Sequence, residues 1–405
     1  MTTPPARPRP PRAARRLLAL LTLLAAQALP AAPALAEDAA DGLPRTAVRL
    51  PDGGVLRLYG QINRGLLYYD DGRSQRGYAL IDNANSPSRI GLNYLRAGER
   101  TTWEGVFEAG YSPYSSDRAS QSEPRPSRDD FELSRNNIRK LELAVSRPVL
   151  GKLSLGQGSM ASDGITEIDF SETSVAAYSS IGASAAGQFL RLSPAGGGGL
   201  SGIRVTDAFA SFDGARRARL RYDTPPIAKA ITASVSYGHN LLSDSAAERE
   251  KALLDLALRF ERKQGHYWLS AGGGYHGQVG GTQILAGSGS VLHVPTGLNL
   301  TLAAGAEDDT SSRILYAKLG VRRPKLAPWG ETAFSVDLYA ARDPVLDLAA
   351  GIASSSSRSV GLAVVQKIDA ARVELWGTWR AFRYADSSAD YEDGHALFAG
   401  ARWRF

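Results

Sequence analysis

Two groups of residues have the types and spacing for chemistry. Arg217, Arg219 and Arg221 stand at alternate positions, and Asp163, Glu167, Asp169 and Glu172 are spread through one segment. Alternate positions in a strand point to one face. Three like charges on one face repel and lose hydration if buried, so they belong against water. Such groups order ions and dipoles; making and breaking bonds needs other partners. The 405 residues contain no cysteine, which excludes a thiol nucleophile, a disulfide framework, a thiolate metal site and a lipoprotein anchor. The five histidines are scattered at His239, His266, His276, His293 and His395. His239 and His395, in or beside expected loops, are the candidates for the rival reading, a barrel hydrolase of phospholipase or protease type. That reading needs a nucleophile or paired acids converging on one of them. Gly272, Gly274 and Gly277 match a dinucleotide-binding spacing, but the residues that follow open no helix, so no phosphate cradle forms. No nucleophile elbow, Walker or zinc-helix pattern is present, and no cofactor, metal or nucleic acid is expected.

The formal charge of +6 is local. Arg7, Arg9, Arg12, Arg15 and Arg16 precede an apolar run, and setting them aside leaves 42 basic residues against 41 acidic. The run over 17–28 is too short for a helical span, which needs about 20 residues. Pro30 and Pro33 break it, and Ala34-Leu35-Ala36 has the small residues of a cleavage site. Residues 1–36 are therefore expected to be a cleaved export signal rather than an anchor helix. Residues 37–54 follow as a periplasmic segment.

From Val55 onward the pattern has period two. Leu58, Gly60 and Ile62 share one face and Tyr59, Gln61 and Asn63 the other; Leu141, Leu143 and Val145 alternate with Lys140, Glu142 and Ala144. Such alternation marks a strand with one apolar and one wet face. Windows at 55–69, 89–96, 101–111, 135–147, 152–158, 215–223, 230–238, 251–262, 266–276, 282–293, 297–306, 313–322, 331–342, 358–368, 371–384 and 395–405 give about sixteen strands, an even number within the range of membrane barrels. Connections alternate short and long, with 277–281 short for an outer loop and 323–330 long for a turn. A soluble β-sandwich also alternates, but its apolar face meets a dry core. Here wet faces rich in arginine, lysine and glutamate, on strands long enough for a tilted span, favour a closed antiparallel transmembrane β-barrel over 55–405. Closure removes the edges that lipid cannot solvate.

Four stretches carry a likeness. Residues 58–64 (Leu-Tyr-Gly-Gln-Ile-Asn-Arg), 88–92 (Ser-Arg-Ile-Gly-Leu), 151–157 (Gly-Lys-Leu-Ser-Leu-Gly-Gln) and 401–405 (Ala-Arg-Trp-Arg-Phe) resemble, in that order, segments of the general Gram-negative porin family. The resemblance implies sixteen strands, a homotrimer, and a third outer loop folded into the pore. It also implies a C-terminal aromatic, Phe405, read by the outer-membrane assembly machinery. The implied function is an outer-membrane channel for passive diffusion of small hydrophilic solutes and ions, set among outer-membrane lipid and lipopolysaccharide. A substrate-selective channel is the nearest alternative.

The segment over 159–214 is the longest connection and follows the fifth strand, where the family places its narrowing loop. Asp163, Glu167, Asp169 and Glu172 are then an acidic lip at the constriction, or else the charges of a solvated outer loop. Basic groups on the wall would oppose them: Arg217, Arg219 and Arg221 from the alternation, Lys140 on the wet face of the fourth strand, and Arg89 from the resemblance. Charges on opposite walls tune ion preference; the competing placement is at the barrel rim. Gly196–Gly199 suggests flexibility or extra strand. Tyr68, Tyr69, Tyr111, Trp379, Tyr384 and Trp403 lie near strand ends and read as interfacial girdles.

Overall fold

The computed structural model describes residues 46–310 and 312–405. The expected export signal and the first half of the 37–54 segment lie outside the described residues. Sixteen barrel strands follow one another around a closed sheet. They are β1 (Val55–Asp70), β2 in two halves (Gln75–Asp82 and Arg89–Ala97), β3 (Thr102–Gly110), β4 (Ile138–Arg147), β5 (Gly151–Ser159), β6 (Arg216–Asp223), β7 (Ile231–His239) and β8 (Ala252–Gln264). The second half comprises β9 (Tyr267–Gln278), β10 (Gln283–His293), β11 (Leu298–Glu307), β12 (Arg313–Ala327), β13 (Gly330–Arg342), β14 (Ser355–Ile368), β15 (Val373–Asp386) and β16 (Gly394–Arg404).

Each strand pairs antiparallel with the next, and β16 pairs with β1 from Gln61↔Arg404 to Asp70↔His395. Phe405 and Gly60 exchange both backbone hydrogen bonds at 3.1 Å. Where β16 ends, a short strand, Ala47–Arg49, takes over as partner of the start of β1. No backbone edge of β1 is left to lipid, as the closed-barrel expectation requires.

The alternation sorts each strand into two faces. On β12, Arg313, Leu315 and Leu319 are exposed outward while Ile314, Tyr316 and Lys318 are buried inward. Apolar residues face lipid, and the interior is filled by aromatic, charged and hydroxyl side chains packed against the connection that follows β5.

Two stretches differ from expectation. Residues 70–88, expected as a loop, contain the outer half of β2, so the outer turn is only 71–74. The alternation there is broken by Leu80, at φ 54°, and by an inward excursion at 83–88. Residues 323–330, expected as a long turn, are mostly strand. β12 runs to Ala327 and β13 starts at Gly330, with a register shift between Arg323 and Ala327 that accommodates Pro324. Tyr69 and Tyr384 also leave the expected girdle, because both are buried on the inner face; Tyr111, Trp379 and Trp403 are exposed.

The inner face includes a buried ion pair that crosses one intervening strand, over Gly361 of β14. Arg380 of β15 donates to both carboxylate oxygens of Asp337 of β13, at 2.7 and 2.9 Å, and neither side chain is more than 1% exposed. Removing one partner leaves the other charge uncompensated in a dry site. Asp337→Ala is expected to cost about 3–5 kcal/mol of stability. In urea titration of the refolded barrel, read by its heat-modifiable gel mobility, the midpoint should fall well below wild type. An unchanged midpoint would mean that water reaches Arg380.

Candidate functional site

The connection between β5 and β6 runs through the barrel interior, held by side chains of almost every strand it passes. Ala161 donates its N–H to Ser236 of β7 at 2.7 Å. Arg259 of β8 donates to the carbonyls of Ala161 and Asp163 at 2.7 and 2.9 Å. Ser288 of β10 donates to the Ile165 carbonyl at 2.7 Å and accepts from the Ile168 N–H. Ser290 accepts from Phe170, and Thr173 meets Ser335 of β13 at 2.7 Å. Ser236, Ser288 and Ser290 thus satisfy loop backbone groups that have no sheet partner, and Ser335 holds a loop hydroxyl. Glycines on β9 let the loop approach: a Cβ at Gly272 would lie 2.8 Å from Ile165, and one at Gly274 would touch Ser162 and Ile165 at 3.4 Å. Two glycines of the dinucleotide-like spacing, Gly272 and Gly274, are a track for this loop, while Gly277 packs against Thr282 and Gln283 of the adjoining turn and strand.

The loop then reaches the opposite wall. Asn83 and Asn85, in the excursion that splits β2, donate to the carbonyls of Val175 and Ser174 at 2.9 Å each. Phe189–Arg191 and Leu200–Arg204 pair as a small hairpin around the glycine run, so this stretch holds extra strand. Arg191 reaches Asp71 in the first outer turn at 2.8 Å, and Ser193 donates to Asp390 in the last outer loop. The return path packs Val205, Phe209 and Phe212 among Tyr339, Phe382 and other inner-face residues.

The four loop acids divide into two pairs. Asp169 is buried against Lys318 of β12 at 2.8 Å and accepts from Thr301 of β11; Lys318 also donates to the Ala177 carbonyl at 2.6 Å. Glu172 meets Lys367 of β14 at 2.8 Å and Arg322 of β12 at 3.5 Å. These two acids tie the loop to the wall. Asp163 lies 3.6 Å from Arg216, and Glu167 is exposed in the interior with no ion pair among the described residues. Enclosure in the barrel, followed by the nearby charges of Asp213 and Asp163, pushes the Glu167 carboxyl up to about 8.

The basic residues expected on the wall all take the inward parity. Arg89 lies 3.7 Å from Glu108 of β3. Arg219 is buried and paired with Glu142 of β4; Arg221 holds Asp223 at 2.7 Å and donates to the Met160 carbonyl. Arg217 and Lys140 make no ion pair among the described residues. Ser88-Arg89-Ile90-Gly91 works as a unit. Ser88 ties the break in β2 by donating to Asp82. Gly91 leaves room for the ring of Tyr59, since a Cβ there would come 2.5 Å from it, and Tyr59 donates to Glu108 at 3.0 Å.

Arg139, placed by simple alternation on the outer face with Leu141, is an addition to this group. A register shift opposite Glu108 and Ala109 re-aims it inward, and it donates to Glu108 at 2.7 Å. Arg216, at the head of β6, was equally invisible to a pattern that began at Arg217. His239 packs against Tyr237, and His395 stacks near Trp379. Among the described residues neither ring hydrogen-bonds a carboxylate, and no group of three metal-ligating side chains occurs.

A family model described as Gram-negative porin matches residues 19–387. The chain belongs to the Gram-negative porin family. Membership makes it a channel-forming barrel and implies the outer membrane. Solved porins share the fold at low identity. The anion-selective porin from Comamonas acidovorans is 16% identical with a TM-score of 0.54, covering 87% of this chain and 100% of that one. The outer membrane channel DcaP of Acinetobacter baumannii is 11% identical with a TM-score of 0.53, covering 89% and 100%. OprB of Pseudomonas putida is 9% identical with a TM-score of 0.54, covering 87% and 94%. No curated protein matches the chain.

Within this porin the anchoring acids and the interior-facing acids predict different phenotypes. Asp169→Asn should leave Lys318 charged and underpaired in a dry site, loosening the loop. Single-channel records should then show excess noise and extra conductance levels. Glu167→Gln should leave the open channel as quiet as wild type. Equal noise in the two variants would overturn the division.

Proposed function

We propose that the pore narrows between Asp163 and Glu167 on the inward loop and Arg89, Arg139 and Arg216 on the wall, and that small hydrophilic solutes and ions diffuse through it with a preference for anions. The exposure of the ion pairs carries this reading. Arg89 and Arg139 show 26% and 20% of their side chains, while the Glu108 they share shows 7%. Arg216 shows 34% and Asp163 13%. In each pair the cation meets the water. Glu167 lies within electrostatic reach of Arg216 and Arg139, and near neutral pH it is largely protonated and adds little negative charge. Fixed charge at a constriction sets ion preference. The porin of Comamonas acidovorans, named as anion-selective, shares the fold, and the charges here favour the same sign.

The remainder of the proposal rests on family likeness: a cleaved leader over 1–36, a homotrimer, surrounding lipopolysaccharide, and recognition of Phe405 by the assembly machinery. In support of the last, Phe405 occupies the seam itself, bonded to Gly60 and packed 5.0 Å from Trp403. Phe405→Ser should lower the amount of folded barrel recovered from outer membranes, while the protein that does fold conducts as wild type.

Reversal potential in a salt gradient across a planar bilayer tests the constriction. Wild type should favour anions at pH 6. Raising the pH through about 8 ionises Glu167 and should weaken that preference, and Glu167→Gln should remove the alkaline change. Arg139→Ala combined with Arg216→Ala should shift the preference toward cations. Cation preference in wild type at pH 6 would refute the proposal.

A further inference from the structure

The outward face carries a feature that conduction does not use. At the outer ends of β12 to β15, Arg313, Arg342, Arg358 and Arg383 all project on the lipid-facing parity, and all four are exposed. Arg313 lies directly across from Arg342, and Arg358 directly across from Arg383; Arg358 is opposite Ala340, two residues below Arg342. Like charges in directly opposed positions destabilise a sheet. Carboxylates relieve this only at the margins: Arg342 is 3.9 Å from Asp343, and Arg383 is 2.7 Å from Asp393. Arg313 and Arg358 make no salt bridge among the described residues. Between them, Arg313, Leu315, Ala340, Arg342, Ser356 and Arg358 line a shallow depression of about 380 Å³, in which Ala340 and Ser356 leave space. Immediately below on the same face come Leu338, Val360 and Trp379, the apolar belt. The strands β8 to β11 carry no such charges at this height: their outward residues are Leu254, Tyr275, Leu285 and Ala306.

We infer that this quartet is a docking site for the phosphorylated headgroup of an outer-leaflet glycolipid, with its acyl chains lying along the belt below. Guanidinium forks match phosphate oxygens, and a phosphate in the depression between Arg313, Arg342 and Arg358 turns mutual repulsion into attraction, with Arg383 at its margin. The position, above apolar surface rather than in the lumen, selects a lipid phosphate over a dissolved one. The inference rests on the outer-membrane placement of the barrel and is independent of the constriction.

The test is binding of bisphosphorylated lipid A, in detergent, to the folded full-length barrel, compared with dephosphorylated lipid A and inorganic phosphate. Arg313→Ser combined with Arg358→Ser should weaken lipid A binding roughly tenfold, with heat-modifiable mobility and conductance unchanged. Arg313→Lys with Arg358→Lys should retain an intermediate affinity. Wild-type affinity in the serine variant, equal binding of dephosphorylated lipid A, or displacement of lipid A by millimolar inorganic phosphate would each overturn the site. Because conductance is measured on the same proteins, a failed pore and a failed lipid site give distinct results.

Discussion

Everything in this molecule follows from the need to leave no backbone amide facing hydrocarbon. An open sheet in lipid would expose two edges of unsatisfied N–H and C=O groups, each costing several kcal/mol. Pairing β16 with β1 removes both edges, and the residual length of β1 is covered by Ala47–Arg49. Closure fixes what else is possible. Once the sheet is a barrel, side chains of one parity are committed to lipid and those of the other to an enclosed interior. The outward Leu315 and Leu319 and the inward Tyr316 and Lys318 of β12 follow from that one commitment.

An enclosed interior creates a second problem, solved by the long connection. Its irregular backbone cannot pair with a sheet, yet it lies where bulk water is scarce. The inner face answers with hydroxyls at the right height: Ser236, Ser288, Ser290 and Ser335 each meet a backbone or side-chain group of the loop. Two acids then lock it. Asp169 on Lys318 is buried, and a buried charge without its partner costs far more than the pair contributes, whereas Glu172 on Lys367 is a partly exposed tether. A loop so fastened fills one side of the lumen with a hydrophobic cluster of its own, including Ile165, Val205 and Phe209. The proposed path for solutes is the side lined by Arg89, Arg139 and Arg216.

The fold was legible because alternation survives the absence of any helical signal. All sixteen strand windows overlap real strands, and the stretch around the glycine run at 196–199 does hold extra strand, on either side of the run. Three of the misses share one physical cause: a break in period two. Leu80 at positive φ hid the outer half of β2, Pro324 hid the ends of β12 and β13, and the shift beside Glu108 hid the inward turn of Arg139. Alternation says which face a residue takes, but it cannot say which charge will find a partner. Asp163, Glu167, Asp169 and Glu172 look alike in the sequence. Only the positions of Lys318 and Lys367 across the barrel, more than a hundred residues away in the chain, separate tether from lip.

The same distinction explains why a lumen crowded with arginines remains stable. Arg219 and Arg380 are the deepest, and each has a carboxylate partner, Glu142 and Asp337. Arg259 has none among the described residues but caps two loop carbonyls, which supply partial negative charge in fixed positions. Arg89, Arg139 and Arg216 share two acids among three cations, and they are the ones with a quarter or so of their side chains in water. Burial and neutralisation rise together along the wall, as the desolvation cost of an ion demands. Net positive charge can then persist only where water reaches it, and that is where a permeating anion would meet it.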